Sequence, residues 1–564
     1  MIGSFQGRVS RRYVALFIFI GIGFVLYTNF RPQDYYRTST INGIRYMSSS
    51  YDWSKATVYY PPQNVSKLPE GKPKVLPPVQ AVTKTSNSDT AKERKAAVKK
   101  AFVKSWEAYK TYAWTQDELK PLSRKGKQSF SGWSAQLVDA LDSLWLMDMK
   151  GEFKLAVEQI ALIDWNSTSD KFLNLFEVTI RHLGGLIAAY DLSGEKVLLQ
   201  KAIELGDMLY ATFDTPNRLP NHWLYFESAK KGTQKADPSM SGAAGCSMGM
   251  EFTRLSQLTG DSKYYDATER VKQFIYRNQN KTKIPGLWPH IMNYRDELVD
   301  TPMFTLGAGA DSLYEYLPKM HAILGGLDPE YEQMTIQALD TATKYLLYRP
   351  MNPKEEDILM AGNVVETGGS EELTAEMQHL TCFVGGTYAL AGKLMERKDL
   401  VDLGSRLTRG CIWAYDSFPT NIMPEISQLK PCPSIDEKCP WTEIDTKEKR
   451  LPPGFVRARD PRYLLRPEAI ESVFYMWRIT GDESWRDAAW RMWQGIVKET
   501  ETDLAFAVIS DVRVKDSSKE DSMETFWMSE TLKYFYLIFD DVDVLNLDEW
   551  VLNTEAHGFK RPKA

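Results

Sequence analysis

The sequence predicts an all-α protein whose helices pair into hairpins and close into a toroid, with short β segments in the loops. A phrase of the form Leu/Ile-Ser/Thr-Gly-Asp/Glu recurs, with its glycine at Gly194, Gly260 and Gly481. Each copy follows an apolar helix and precedes an amphipathic one, and the first two glycines are 66 residues apart, about one helix pair with its connections. Helix pairs repeated in this way indicate a helical array or a closed toroid.

Six carboxylates in apolar or aromatic surroundings favour the closed form. They are Glu177, Asp311, Glu468, Glu471, Glu530 and Glu555. An acid on an apolar helix face costs on the order of several kcal/mol unless it is paired, hydrogen-bonded or bound to a metal. These acids come from distant repeats, and a toroid can gather them in one pocket. Paired carboxylates among many aromatic residues are typical of enzymes that cut glycosidic bonds; the alternative is that each acid is an ion-paired core residue.

The N-terminal region predicts a membrane anchor. Residues 13–30 are uncharged and mainly apolar, and they follow Arg8, Arg11 and Arg12. A helix of this length spans about 27 Å, enough for a thin bilayer such as that of the endoplasmic reticulum or Golgi. The arginines place residues 1–12 in the cytoplasm and the rest of the chain in the lumen. No small-residue cleavage site follows, which favours a signal anchor over a cleaved signal peptide.

Residues 31–88 predict a flexible lumenal stem, because they are rich in Pro, Ser, Thr and Lys and have no helical period. The helical body follows, over residues 89–564. The 69 basic and 74 acidic residues leave a net charge of −5, which excludes an electrostatic case for nucleic-acid binding.

Lumenal placement makes the sequons and cysteines meaningful. The sequons are at Asn64, Asn166 and Asn280. Of the five cysteines, Cys432 and Cys439 bracket a short loop and predict a local disulfide, and Cys382 and Cys411 could join two successive helices. Cys246 is then left over as a buried apolar residue. The sequence leaves the connectivity open.

An ordered set of motifs over nearly the whole body resembles the class I α1,2-mannosidases, glycoside hydrolase family 47. The motifs are VDALDSLW (138–145), FEVTIRHLGG (176–185), ADSLYEYLPK (310–319), HLTCFVGG (379–386), LLRPEAIESVFYMWRITGD (464–482), METFWMSETLKYFYL (523–537) and NTEAH (553–557). The resemblance implies an (α/α)7 barrel over 89–564 that removes terminal α1,2-linked mannose from high-mannose N-glycans. Together with the predicted anchor at residues 13–30, it leads us to expect a monomeric, single-pass type II membrane enzyme of the Golgi or endoplasmic reticulum.

The resemblance also assigns roles in a reaction that inverts the anomeric carbon. One carboxyl protonates the leaving oxygen, and the other activates a water on the opposite face of the sugar. Glu468 matches the base and Glu177 the acid, with Asp311 as the alternative acid. A bound Ca2+ is implied at Thr554, through its carbonyl and side-chain oxygens. Its shell of oxygens and waters suits calcium, whereas a zinc site would call for His or Cys ligands.

Substrate-binding roles follow for residues that share helix faces with these acids or match pocket positions. They are Arg181, His379, Arg466, Glu471, Phe526 and Glu530. Arg181 lies four residues after Glu177, so the two side chains are expected to meet. A lone histidine is as often structural as functional, and both readings of His379 stay open.

Two departures from the family pattern concern specificity. Endoplasmic-reticulum members carry an arginine where this chain has Gly309, and that arginine restricts cutting to one branch; broader Golgi-like or fungal-like specificity is therefore expected. Ala244 replaces a glutamate that often contacts substrate.

Two alternative functions are considered. A degradation-enhancing relative that trims misfolded glycoproteins is disfavoured because the chain ends soon after Thr554. A non-catalytic oligomannose lectin is disfavoured because the catalytic carboxylates are present.

Overall fold

Helices form the framework of the computed structural model from Asp89 onward; the model describes residues 37–82, 88–168, 170–437, 439–443, 446 and 448–564. The α-helices are α1 (Asp89–Tyr112), α2 (Ala135–Asp139), α3 (Leu141–Leu146), α4 (Lys150–Ile160), α5 (Leu175–Glu177), α6 (Gly184–Ser193), α7 (Lys196–Tyr210), α8 (Phe226–Lys230), α9 (Gly242–Cys246), α10 (Gly249–Thr259), α11 (Ser262–Asn278), α12 (Asp311–Ile323), α13 (Pro329–Tyr345), α14 (Val384–Leu394), α15 (Lys398–Ser417), α16 (Glu468–Thr480), α17 (Ser484–Thr500) and α18 (Leu532–Ile538). Two π-helical turns, Val178–Leu183 and Trp527–Thr531, lead into α6 and α18.

The recurring glycine phrase marks the ends of α6, α10 and α16. Gly194, Gly260 and Gly481 have φ of 72°, 75° and 69°, the left-handed conformation that glycine adopts without strain. Each glycine N–H donates to the carbonyl four residues earlier, which closes the last turn of the helix. The phrase therefore ends one helix and turns the chain into the next.

One set of helices forms a ring, each packing on the next. Helix α3 contacts α6, and the contacts continue through α10, α12, α14 and α16 to α18, whose preceding π turn returns to α3. A second helix packs outside each of these: α4, α7, α11, α13, α15, α17 and, for α18, the N-terminal helix α1. Every residue of α18 is buried, and so is nearly every residue of α12 and α16. Helices that are buried on all sides belong to the interior of a protein, as the ring requires.

Strands form small antiparallel sheets in the connections. They are β1 (Thr38–Ile41), β2 (Ile44–Met47), β3 (Glu118–Lys120), β4 (Lys125–Lys127), β5 (Phe172–Asn174), β6 (Trp223–Tyr225), β7 (Met240–Ser241), β8 (Ile291–Met292), β9 (Met303–Thr305), β10 (Leu347–Tyr348), β11 (Met360–Ala361), β12 (Asn363–Thr367), β13 (Ser370–Thr374), β14 (Glu376–Gln378), β15 (Ile426–Leu429), β16 (Phe455–Asp460), β17 (Trp550–Leu552) and β18 (Gly558–Lys560). The largest are three-stranded, β13-β12-β9 and β14-β15-β16; the others pair two strands.

The segment expected to be a flexible stem lies on the helical body over its described part, residues 37–82. Trp53 and Val79 are buried, and backbone N–H groups along the segment donate to carbonyls or carboxylates of the body. These pairs are Met47 with Ala161, Tyr59 and Tyr60 with Asp214, Ser66 with Asp266, and Val79 with Asp548. Proline removes backbone donors but permits extended chain, so a proline-rich segment can follow a surface that offers acceptors.

Both expected disulfides are present. Cys382 joins Cys411 between the start of α14 and α15, and Cys432 joins Cys439 in the loop after β15. Cys246 is unpaired and half-buried, where a buried residue was expected; its sulfur lies 3.4 Å from the Tyr294 hydroxyl. The predicted anchor at residues 13–30 lies outside the described residues, and in the part that is described no helix has the length and apolar character to cross a membrane.

Candidate active site

A loop between β17 and β18 carries residues 553–557 into the ring of helices. Asn553 fixes this loop: its Nδ2 donates to the carbonyl of Ile180 (3.1 Å) and to Glu251 Oε1 (2.8 Å). Its Oδ1 accepts from the N–H groups of Glu555 (2.9 Å) and His557 (2.8 Å). One buried amide thus ties the loop to two helices of the ring and shapes the loop itself.

His557 anchors the other side of the loop. Its two ring nitrogens lie 3.0 Å from Asp142 Oδ2 and 2.9 Å from Asp139 Oδ1, and all three side chains are buried. Burial alone would lower the pKa of His557, but Asp142 and Asp139 raise it above its ordinary value. Lys533 Nζ adds bonds of 2.8 Å to Asp142 and to the carbonyl of Ala556. Sequence reasoning did not assign these anchors, although two aspartates three residues apart in an apolar helix were a usable signal.

Arg181 gathers carboxylates at one end of the site. Its Nε lies 2.9 Å from Glu177 Oε2, which confirms the expected pairing four residues apart. Its Nη1 contacts Glu555 and lies 3.7 Å from Asp139 Oδ2. Glu177 ends α5, and Arg181 lies in the π turn that follows. Such turns are frequent at functional sites, and here one keeps both side chains on the same side of the chain.

Glu468 defines the other end. The first residue of α16, it lies 2.7 Å from His379 Nδ1 through its Oε2, and 3.6 Å from Arg466 Nη1 through its Oε1. Burial alone would raise the pKa of Glu468, but His379 and Arg466 hold it below its ordinary value. His379 is itself oriented by the Tyr415 hydroxyl, 2.8 Å from Nε2. The histidine therefore contacts a candidate catalytic residue directly.

Phe526 lies between the two ends. Its ring centroid is 5.8 Å from the Arg181 guanidinium and 5.7 Å from that of Arg466. The ring is 7% exposed, so most of its surface is covered by protein. Arg466 is in turn paired with Glu425, an acid that sequence reasoning did not single out. The aromatic ring separates two cations that would otherwise repel each other.

Three further acids of the site, Glu471, Glu530 and Glu555, have raised pKa values. Burial, Glu315 and Glu468 raise the pKa of Glu471 to about 8 despite Lys319 and the Tyr534 hydroxyl. Burial raises the pKa of Glu530 well above its ordinary value, and Glu555, Glu468 and Glu471 add to the rise. Burial and the negative charge of Asp139 also raise the pKa of Glu555 well above its ordinary value, although the positive charge of Arg181 lowers it. These acids have too little positive charge around them to ionise together.

Asp311 opens α12 beside the same cluster. Its Oδ1 accepts the N–H of Ser312 (2.9 Å). Burial raises its pKa to about 7, and the negative charges of Glu315 and Glu468 contribute to the rise. A carboxyl with that pKa is partly protonated at neutral pH, which is a condition for donating a proton in catalysis.

Thr554 offers two oxygen atoms of the kind that bind a hard cation. Its N–H donates to the Tyr316 hydroxyl (3.3 Å), and within the described residues neither its carbonyl nor its Oγ1 has a hydrogen-bond partner. Oxygen donors next to several buried carboxylates suit Ca2+. The residues at this end of the site therefore fit the implied ion.

A separate acidic group lies between α11 and α13. Single carboxylate oxygens of Glu269, Asp328 and Glu330 are within 4.8 Å of one another, a spacing that could hold a metal. However, Lys272 Nζ contacts all three acids, at 2.7 Å from Asp328 and 3.3 Å from Glu269, and also Glu330. The ammonium group already compensates their charge, so we regard this group as an ion-pair cluster.

The two departures from the family pattern lie in different settings. Gly309 has a φ of 82°, and a Cβ at this position would lie 2.5 Å from His290 Nε2. An arginine here would be strained at this φ and would require the His290 side chain or the loop to move. Ala244 is buried in the short helix α9.

Among the sequon asparagines, Asn64 and Asn280 are exposed and Asn166 is half-buried.

Comparison with known proteins agrees with these features. Residues 101–561 match the model of glycosyl hydrolase family 47. The chain is 35% identical over 470 residues to the rat endoplasmic reticulum mannosyl-oligosaccharide 1,2-alpha-mannosidase, covering 82% of this chain and 68% of that protein. It is 32% identical over 496 residues to the Aspergillus oryzae mannosyl-oligosaccharide alpha-1,2-mannosidase 1B, covering 84% and 93%.

A solved structure, that of the alpha-1,2-mannosidase from Trichoderma reesei, superposes with a TM-score of 0.73 at 28% identity, covering 83% of this chain and 99% of that one. The resemblance found in the motifs thus extends over most of the sequence and over the fold. The chain belongs to glycosyl hydrolase family 47.

Proposed function

We propose that this protein hydrolyses terminal α1,2-linked mannose from high-mannose N-glycans on glycoproteins, with inversion at the anomeric carbon. The observation that carries the proposal is the environment of Glu468 in a family 47 chain. His379 and Arg466 lower the pKa of this largely buried carboxylate, whereas burial raises the pKa of Asp311 to about 7. Paired acids with opposite protonation states are what glycoside hydrolysis needs.

In this reaction Glu468 takes the proton from the attacking water. Its bond from His379 Nδ1 leaves Oε1 facing Arg466, so the carboxylate is oriented before a substrate arrives. The leaving oxygen receives its proton from Asp311 or, through a water, from Glu177. Burial raises the pKa of Asp311 to about 7, so it is partly protonated near neutral pH, whereas Glu177 is engaged with Arg181.

Calcium would be held by Thr554 through its two oxygens, with Glu471, Glu530 and Glu555 around its waters. When bound, it would compensate the negative charge of these acids and orient sugar hydroxyls. The fit is supported by the oxygens of Thr554, which have no hydrogen-bond partner among the residues that the structure describes, and by the raised pKa of Glu471. Arg181, Arg466 and Phe526 border the same space and would contact the mannose.

The proposed architecture is the (α/α)7 barrel of the family, supported by the ring of helix pairs that α1 completes against α18. The chain acts as a monomer, anchored by residues 13–30 as a type II membrane protein of the Golgi or endoplasmic reticulum. The acidic residues and the loop 553–557 then lie in its lumenal domain.

Specificity is proposed to be broad over the branches of the glycan. Gly309 supplies no side chain to grip a branch, and its positive φ with His290 nearby disfavours any larger residue in this loop conformation. The consequence is trimming of a nine-mannose glycan to the five-mannose product, without a stop at one eight-mannose isomer.

The test is digestion of a labelled nine-mannose glycan by the purified protein, followed by chromatography over time. Proton NMR of the first mannose released should show the β anomer, as inversion requires. Retention of configuration would contradict the mechanism, and a pause at a single eight-mannose isomer would contradict the specificity. Glycan binding without any release of mannose would identify a lectin instead.

A further inference from the structure

Three aromatic side chains stand on one face of the small sheet β5–β6. Phe172 is paired directly with Tyr225, and Asn174 with Trp223, so these four residues point to the same side. The intervening pair, Leu173 and Leu224, is buried on the opposite side. The ring centroid of Phe172 lies 5.1 Å from that of Trp223 and 5.2 Å from that of Tyr225. We call Phe172, Trp223 and Tyr225 the aromatic rim.

Two members of the rim are exposed to solvent although they are large aromatic residues, and Trp223 is half-buried. Phe172 is 40% exposed and Tyr225 is 44% exposed. Single exposed aromatic residues are common on protein surfaces. Three whose rings are joined through Phe172 form a patch, and exposed apolar patches mark binding surfaces more often than isolated side chains do.

The rim continues into the candidate active site through a cleft of about 430 Å3. Phe172 and Trp223 line this cleft together with Glu177 and Phe130. The ring of Phe130 has the Arg181 guanidinium 5.1 Å from its centroid, so the inner wall of the cleft is the Arg181 end of the site. A volume in the range of about 300–1,000 Å3 is typical of ligand pockets.

The chemistry of the cleft suits a carbohydrate chain. Mannose rings present C–H faces that pack on aromatic rings, and hydroxyl groups around the edge that need polar partners. Asp170, Lys171 and Asn174 line the same cleft and offer an acceptor, a cation and an amide. Apolar walls with a few polar groups are the usual composition of a small-molecule site.

We propose that the aromatic rim binds the part of the oligomannose chain that lies beyond the mannose being removed, and so positions long glycans for cleavage. This inference rests on the proposed function. The occupant follows from continuity: a chain whose terminal mannose lies beside Glu177 can extend along the cleft over Phe172 and Trp223. Glycans too short to reach the rim gain nothing from it.

The experiment compares two substrates with the same scissile bond, α1,2-mannobiose and a nine-mannose glycan, in the full chain. Trp223→Ala and Phe172→Ala should each lower the ratio of kcat/KM for the glycan to kcat/KM for the disaccharide about tenfold, the loss typical of an important contact residue. The loss should appear mainly in KM, and Trp223→Phe should recover most of it. Tyr112→Ala, which removes a 38% exposed aromatic at the end of α1, is the matched control and should leave the ratio unchanged.

Equal losses on both substrates, or no loss on either, would overturn the inference. A binding measurement distinguishes failure of this inference from failure of the proposed function. In the Glu468→Gln background, Trp223→Ala should raise the Kd for the glycan about tenfold. An unchanged Kd would refute glycan binding at the aromatic rim even if the chain proved inactive. An inactive wild type whose Kd for the glycan is raised by Trp223→Ala would refute only the hydrolysis.

Discussion

The two ends of the acidic site differ in how their charge is compensated. At one end Glu468 has His379 at 2.7 Å and Arg466 at 3.6 Å, and its pKa is lowered although it is buried. At the other end Glu530 and Glu555 share the charge of Arg181 with Glu177, and their pKa values are raised. Similar burial has opposite consequences because the number of cations differs.

This difference shows which part of the site is complete in the protein alone. The Glu468 end is ready to accept a proton, because its own residues stabilise the charged form. The Glu530 end requires protons or an added cation to be stable. A divalent ion at Thr554 would supply that charge, which connects the electrostatics of the chain to the implied calcium.

Glu468→Gln should have the largest effect on turnover, because it removes the carboxylate that is ready to accept a proton. Glutamine keeps the shape but cannot accept a proton, so turnover should fall roughly 10²–10⁴-fold while oligomannose binding persists. Rates of mannose release and calorimetric binding measure the two quantities. Glu499→Gln is the matched control, since Glu499 is also a helical glutamate with little exposure (2%) but bonds the backbone of Asp516 away from the site. Turnover of Glu468→Gln within tenfold of wild type would contradict the assignment.

Removal of metal should affect the end of the site that contains Glu530 and Glu555. Chelation with EDTA should inactivate the protein and lower its melting temperature by several degrees, because saturating calcium stabilises the folded state by about 2.7 kcal/mol at one hundred times its Kd. Added Ca2+ should restore both quantities better than Zn2+ does. Unchanged activity and melting in metal-depleted buffer, with residual calcium shown to be absent, would rule out this role.

The pH profile separates the two candidate acids. Burial raises the pKa of Asp311 to about 7, so it is protonated below that pH and ionised above it. If Asp311 donates the proton, kcat/KM should fall about tenfold per pH unit above pH 7, and Asp311→Asn should be slower and lack this limb. A limb that persists in Asp311→Asn would transfer the role to Glu177.

Much of the helical organisation could be predicted because its signals are local. The glycines at 194, 260 and 481 end their helices through their own backbone conformation. Ring closure depends instead on the π turn before α18 packing against α3, two elements from opposite ends of the body. The described part of the predicted stem shows the same dependence on distant residues: its composition suits a flexible chain, whereas the acceptors of its backbone N–H groups include distant residues such as Asp548.

The site divides in the same way. Glu177 and Arg181 meet because they are four residues apart, and that pairing was predictable. Glu468 and His379 are 89 residues apart, so only the fold reveals that this histidine touches the candidate base. The anchors Asp139, Asp142 and His557 were missed because their partners are more than 400 residues away.

The smallest expected effect tests how Glu468 is kept charged. Tyr415→Phe removes the hydroxyl 2.8 Å from His379 Nε2, so the imidazole loses the partner that orients it toward Glu468. A hydrogen bond of this kind contributes about 1 kcal/mol, so kcat/KM should fall about threefold to tenfold, and the acid limb of the pH profile should move to higher pH as Glu468 becomes easier to protonate. Tyr388→Phe is the matched control: Tyr388 is also fully buried, but its hydroxyl bonds the carbonyl of Leu339, away from Glu468. Both variants should lose similar stability, and only Tyr415→Phe should shift the acid limb. A shift in both variants, or in neither, would mean that Tyr415 supports the fold alone and that His379 holds Glu468 without help.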